Sequence, residues 1–187
     1  MFSKKVLIIS IIIITLVIGI VAVIFTLQKN ANQDQFSIGG RRPPASSNYQ
    51  QFRDELGEAY TVRYPTEWEA SQSPVAGGGT NATFAIPSKN EGEPDAFVNI
   101  QGVSVDDAPI GQVEGSFEAF GYTSENGLVQ GIPAVRFAGS MRKLHEVAYV
   151  FEKDNTVYTM KLSYVSDAAN PELEEQFEQV ANTFSFN

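Results

Sequence analysis

From Tyr49 onward, large apolar side chains recur at every second position in several short runs. Tyr158, Met160, Leu162 and Tyr164 alternate with Thr159, Lys161 and Ser163, the period of a strand with one face in the core and the other toward water. Val147, Tyr149 and Phe151 come shortly before them, and Asp154-Asn155 supplies residues that tolerate a tight turn. Together the two runs predict a long antiparallel hairpin. Strands are also predicted over residues 59–64, 83–86, 96–105 and 134–141, with turns at Leu56-Gly57 and Gly77-Gly78-Gly79. The triple glycine is not followed by Gly-Lys-Ser/Thr, so it is read as a bare loop and not as a phosphate cradle.

Two stretches change to helical spacing. Ile110, Val113, Phe117 and Phe120 recur near a period of 3.6, with Asp106-Asp107 placed to cap the start, Pro109 suited to the first turn and Gly121 suited to the end. Gly111 and Gly115 weaken this helix by about 1 kcal/mol each, so it is expected to depend on docking. The second helix has Asn170 as cap, Pro171 at the first position, and Glu172, Glu174 and Glu175 near the positive end of its dipole. Leu173, Phe177, Val180 and Ala181 form its apolar stripe. Phe184 and Phe186 flank Ser185 and predict a short closing strand. Long antiparallel strands and two helices that each need a cover imply an α+β fold, a sheet with helices packed on its faces.

The N-terminal part follows another pattern. Residues 6–27 carry no charge, and Ser10, Thr15 and Thr26 are their only polar members. As a helix this stretch is about 33 Å long, against a hydrocarbon core of about 30 Å. It is read as a transmembrane anchor. A cleaved signal peptide fits less well, because its apolar region runs only about 7–15 residues and ends at a small-x-small site, which Phe25-Thr26-Leu27-Gln28 lacks. Lys4 and Lys5 lie before the anchor and Lys29 after it, which favours a cytoplasmic N-terminus and an extracytoplasmic domain. Residues 28–48 are rich in Gln, Asn, Gly, Pro and Ser and cannot bury enough surface to fold alone. As a flexible coil their ends lie about 25 Å apart. The expected organisation is a basic tail over residues 1–5, the anchor over 6–27, a tether over 28–48 and one globular domain over 49–187.

Charge and composition narrow the function classes. The 187 residues hold 13 Lys+Arg and 22 Asp+Glu. One of the acids and five of the bases precede Tyr49, which leaves 21 acids against 8 bases, a net −13, in the domain. No nucleic-acid partner is expected, since phosphate backbones require clustered Lys and Arg. The chain has no cysteine, which excludes disulfide scaffolds, thiolate zinc sites and thiol nucleophiles.

Three short segments carry a resemblance. Tyr60-Thr61-Val62-Arg63-Tyr64-Pro65 followed by Trp68 resembles the opening of PsbP-like domains. Gly131-Ile132-Pro133-Ala134 resembles the turn that precedes a strand there, and Phe177, Val180 and Thr183-Phe184-Ser185-Phe186 resemble the closing helix and tail. The order and spacing agree across residues 49–187. The resemblance implies the PsbP/Mog1-like fold, an antiparallel sheet sandwiched between helices, here as a membrane-anchored bacterial type. It carries no catalytic residue onto this chain, because the matching positions are framework. The manganese- and calcium-linked role of the photosynthetic member does not transfer.

Candidate chemistry is sparse. His145 is the one imidazole, and no local motif supplies the positioned partner that a histidine-dependent site needs. Arg142-Lys143 is the domain's one adjacent basic pair, and with His145 it is a candidate partner contact. Glu91, Glu93 and Asp95 alternate in a loop and are candidate oxygen ligands for a metal, although they lack a full calcium-loop pattern and Pro94 intrudes. Asn81-Ala82-Thr83 has the pattern of an N-glycosylation acceptor. Trp68, Tyr60 and Tyr64 are read as framework aromatics and not as a cleft lining. No catalytic residue and no cofactor is expected. The function expected is a non-catalytic binding or assembly module with a protein or cell-envelope partner. The alternative is a hydrolase or metal-dependent enzyme with scattered site residues.

Overall fold

The structure, a computed structural model, describes residues 36–38, 48–56, 59–75, 79–87, 96–166 and 169–187. The expected anchor at 6–27 and the acidic triplet Glu91, Glu93 and Asp95 lie outside the described residues. Among the described residues, no helix is long and apolar enough to cross a membrane. The elements run β1 (Phe36–Ile38), β2 (Tyr49–Arg53), β3 (Tyr60–Pro65), β4 (Glu69–Val75), β5 (Gly79–Ile86), β6 (Ala96–Ser104), α1 (Ile110–Ala119), β7 (Thr123–Val129), β8 (Ile132–Met141), β9 (Leu144–Lys153), β10 (Thr156–Val165), α2 (Pro171–Thr183) and β11 (Ser185–Phe186).

Eight strands form one sheet in the order β1-β7-β8-β9-β10-β6-β5-β4, and β11-β3-β2 form a second. The expected hairpin is β9–β10, with Phe151 opposite Tyr158 and Tyr149 opposite Met160. Its turn residues Asp154 and Asn155 have φ of 50° and 62°, the left-handed backbone that a two-residue hairpin turn requires. The large sheet is mixed where a wholly antiparallel one was expected, because β1 pairs in parallel with β7. Polar neighbours had placed Phe36-Ser37-Ile38 in the tether. In the structure these residues close one edge of the sheet, with Ile38 buried and the Phe36 ring 5.2 Å from Tyr149. Gly127 permits this approach, since a Cβ there would run into the Phe36 carbonyl and ring. The compact unit accordingly starts at Phe36 and not at Tyr49.

The large sheet lies between two layers. One face carries Val98, Ile100, Val147, Tyr149, Phe151, Met160 and Leu162, which pack with Tyr60, Val62 and Tyr64 of the small sheet and Phe177, Val180 and Ala181 of α2. The opposite face of β8, β9 and β10 presents Phe137, Ala148, Val150 and Val157, covered by Ile110, Val113 and Phe117 of α1. Residues 146–151 are thus buried without a break, and the run Val147-Ala148-Tyr149-Val150-Phe151 is the continuous apolar signature of a central strand covered twice.

Both helices form where expected, with two corrections. Asn170 caps α2, its Oδ1 accepting from the Glu172 and Leu173 amides at 3.2 and 3.3 Å. For α1 the cap position is Pro109, and no side chain caps it. Asp106 and Asp107 stand too early, in a turn where the Asp107 and Ala108 amides both donate to Ser104 O. Phe120 is 60% exposed, because the helix ends at Ala119 and Gly121, with φ 78°, turns the chain away. Cβ atoms at Gly111 and Gly115 would meet nothing within 4 Å. Gly111→Ala and Gly115→Ala are therefore expected to stabilise the fold by up to about 1 kcal/mol each. The urea midpoints of the single and double variants measure this, and lower midpoints would mean that α1 needs its glycines.

Candidate functional site

The strands β8 and β9 turn at Arg142-Lys143. Both residues have positive φ, 51° and 70°, and both are exposed. His145 follows in β9 on the face turned toward α2, so the structure separates it from the basic pair at the turn. Its Nδ1 lies 2.7 Å from Ser140 Oγ and its Nε2 lies 3.4 Å from Glu174 Oε1 of α2. A carboxylate only accepts, so the proton belongs on Nε2, and in the neutral ring Nδ1 accepts from the Ser140 hydroxyl. Glu174 Oε2 also meets Arg136 Nη2 at 3.3 Å, and its Oε1 accepts from the Tyr164 hydroxyl at 3.2 Å. The Tyr164 oxygen in turn accepts from the Asn170 amide at 2.7 Å, and its ring packs 5.0 Å from the His145 ring. Burial pushes the Tyr164 hydroxyl above the usual phenol range, against the lowering effect of the Asn170 amide. The cluster thus ties the first turn of α2 to β8, β9 and β10.

On the opposite face, under the end of α1, Glu146 is buried. Its Oε1 accepts from Lys161 Nζ at 2.8 Å and from Ser163 Oγ at 2.9 Å, and its Oε2 accepts from the Tyr122 hydroxyl at 2.6 Å. Burial alone would raise this carboxyl, but the bonds from Lys161, Tyr122 and Ser163, together with the Lys161 charge, hold it below the ordinary glutamate value. Gly139 makes room for the Tyr122 ring, which a Cβ there would strike.

Three clefts open among the described residues. One of about 430 Å³ lies beside the start of α2 and is lined by Trp68, Ile86, Tyr164, Asn170, Leu173 and neighbours. One of about 340 Å³ is lined by Asp54, Ser104, Asp154, Thr156 and Tyr158. One of about 330 Å³ is lined by Glu67, Glu172, Glu175 and Gln179. Asp54 is fully buried and accepts from the Leu56 and Ala59 amides and the Gln72 side chain, so it holds the β2–β3 connection. Tyr60, Tyr64 and Trp68 are all buried, and Trp68 also borders the largest of these clefts. Neither Ser140 nor His145 lines any of the three clefts.

Sequence reasoning had not singled out Ser140, Glu146, Arg136, Tyr164 or Glu174 as partners. Glu146 leaves one signal, a carboxylate at the head of a continuous apolar run. Glu174 leaves none, because its position in the first turn of a helix already explains it by the dipole.

No protein-family model and no curated protein sequence matches this chain. Among solved structures, a protein from Bacteroides thetaiotaomicron VPI-5482 is similar, with TM-score 0.52 and 11% identity over 75% of this chain and 49% of that one. The chain spans about half the length of that protein. The cyanobacterial PsbP (CyanoP) of Synechocystis sp. PCC 6803 is similar at TM-score 0.50 and 17% identity, over 80% of this chain and 98% of that one. At such identities the likeness is one of fold, and the fold is PsbP-like.

Proposed function

We propose that this chain is a membrane-anchored, extracytoplasmic binding or assembly module that does no chemistry of its own. The observation that carries this reading is how the cluster around Glu174 is used. Its imidazole, carboxylate, guanidinium and phenol meet across α2 and three strands, and neither Ser140 nor His145 lines any of the clefts described. Such a network braces a scaffold. The anchor reading rests on the uncharged stretch 6–27, and the orientation rests on Lys4 and Lys5. A tether of short reach would concentrate the domain near neighbours in the same membrane. The partner class is a protein or a component of the cell envelope.

A photo-crosslinking residue at Lys143 or Ser73 of the full-length chain in cells tests the reading directly. An envelope macromolecule captured at either position supports it. Capture of cytoplasmic material only would reverse the topology, as would labelling of Ser46→Cys by an impermeant maleimide only after lysis. The line Ser140–His145–Glu174 favours a second reading, a hydrolase with Ser140 as nucleophile and His145 as base. That reading predicts saturable ester hydrolysis by the purified full-length protein, lost in both Ser140→Ala and His145→Ala. The binding-module reading predicts no turnover above that of the Ser140→Ala variant.

A further inference from the structure

The face of the large sheet that carries α1 changes character along its rows. Reading across strands, Phe137 and Ala148 are followed by Lys161, Asn99, Thr83 and Ser71, each directly opposite the next. In the neighbouring row, Val135 and Val150 are followed by Thr159, Gln101, Asn81 and Ser73. The apolar members of both rows belong to β8 and β9 and lie under α1. The polar members belong to β10, β6, β5 and β4. Ser71 and Ser73 are exposed and the other six are half-buried.

Two properties of this polar half point to its occupant. The first is charge. In a domain with net charge −13, the only charge among these eight residues is Lys161, and Glu146 neutralises it at 2.8 Å. The second is unspent hydrogen-bonding capacity on a regular strand support. Thr83 Oγ1 donates to Asn99 Oδ1 at 2.9 Å and accepts from Asn81 Nδ2 at 3.4 Å, and these two bonds do not use Asn99 Nδ2 or Asn81 Oδ1. Ser71, Ser73, Gln101 and Thr159 make no side-chain hydrogen bond among the described residues. Strand spacing places these groups about 4.8 Å apart across the sheet and about 6.7 Å apart along it. A partner protein normally offers an apolar, aromatic-rich centre to its binding surface, whereas here the exposed aromatic Phe97 stands in the next row, beside the eight polar residues and not among them.

We infer that this face binds an uncharged, hydroxyl-rich polysaccharide, lying across β4, β5, β6 and β10. Amide and hydroxyl side chains both donate and accept, as sugar hydroxyls do, and a grid whose one charge is paired neither repels nor attracts such a chain. The inference rests on the binding-module reading and specifies its partner as an envelope glycan. Binding of this kind is insensitive to ionic strength, because no net charge is screened.

The test uses full-length protein in detergent micelles, pelleted with insoluble chitin or with cellulose. Saturable retention on at least one polymer is expected, unchanged between low and high salt. Asn99→Asp with Gln101→Glu should weaken retention at least tenfold. Ser71→Glu with Ser73→Glu, on an exposed edge strand where folding is not at stake, should do the same. Retention that survives both double variants, or that falls steeply with salt, overturns the assignment of this face. Retention on neither polymer overturns the inference as well. In that case, capture of an envelope protein by the crosslinking experiment would leave the binding-module reading standing, and failure of both experiments would remove it too.

Discussion

Trp68→Ala is expected to destabilise the protein by about 3–5 kcal/mol, the range for deleting a large aromatic from a packed core. The tryptophan is 3% exposed. It sits in the turn between β3 and β4, where its amide donates to Pro65 O at 3.1 Å, and its side chain belongs to the core shared by the two sheets and α2. The ring also forms one wall of the 430 Å³ cleft beside Leu173 and Tyr164. Truncation therefore enlarges an existing opening, which water can enter, and the loss should fall toward the lower half of the range. Trp68→Phe keeps an aromatic ring and should lose less than half as much. Denaturant unfolding of the full chain measures both variants. A loss below about 1 kcal/mol for Trp68→Ala would mean that the ring is not part of the core.

Lys161→Met is expected to cost about 2–4 kcal/mol, because it leaves the Glu146 carboxylate buried without its counter-charge. Lys161 is about a third exposed, so solvent already screens the pair in part and the cost lies at the modest end for a broken buried ion pair. The Tyr122 and Ser163 bonds to Glu146 remain. Adding Glu146→Gln to Lys161→Met removes the orphaned charge and should recover much of the loss, giving a coupling energy that a double-mutant cycle reads directly.

The same pair makes stability depend on pH in a defined direction. The folded-state value of Glu146 is depressed from its ordinary 4.5. Its contribution is therefore fully present above about pH 4.5 and is lost as the pH falls through the lower folded value. In Lys161→Met, burial is left as the largest influence and moves the carboxyl upward. The acid limb of that variant's stability curve should then begin at higher pH than in the parent. Urea midpoints measured from pH 3 to 7 test this, and superimposable acid limbs would show that Lys161 does not set the state of Glu146.

These contacts also mark how far the chain could be read without its structure. The β9–β10 hairpin, its Asp154-Asn155 turn, the Asn170 cap and the stripe Phe177, Val180 and Ala181 were all legible in the sequence. Each is a local pattern, since side chains alternate along a strand, recur at 3.6 in a helix and cap a terminus from nearby positions. Strand β1 was not legible. Three residues in a polar stretch carry little local signal, and Phe36 and Ile38 gain burial from β7, β9 and α2, all far along the chain. The cap of α1 was misplaced because a carboxylate pair near a helix start fits two positions equally well on sequence alone.

Side chains brought together from distant strands were the least legible. Alternation placed Glu146 and His145 on opposite faces of one strand, but could not say what covers either face. The order of strands in the sheet decides that α2 brings Glu174 to His145, and that β10 brings Lys161 to Glu146. It also decides that, among the described residues, α1 covers β8 and β9 and no helix covers the polar face of β10, β6, β5 and β4. The sequence by itself determined β3, β5, β6, β8, the β9–β10 hairpin and both helices, the acidic charge of the domain and the uncharged stretch at 6–27, because each depends on neighbouring residues or on a sum over them. Only the tertiary structure decided which polar groups meet and which part of the sheet α1 covers, because strand neighbours in space are far apart along the chain.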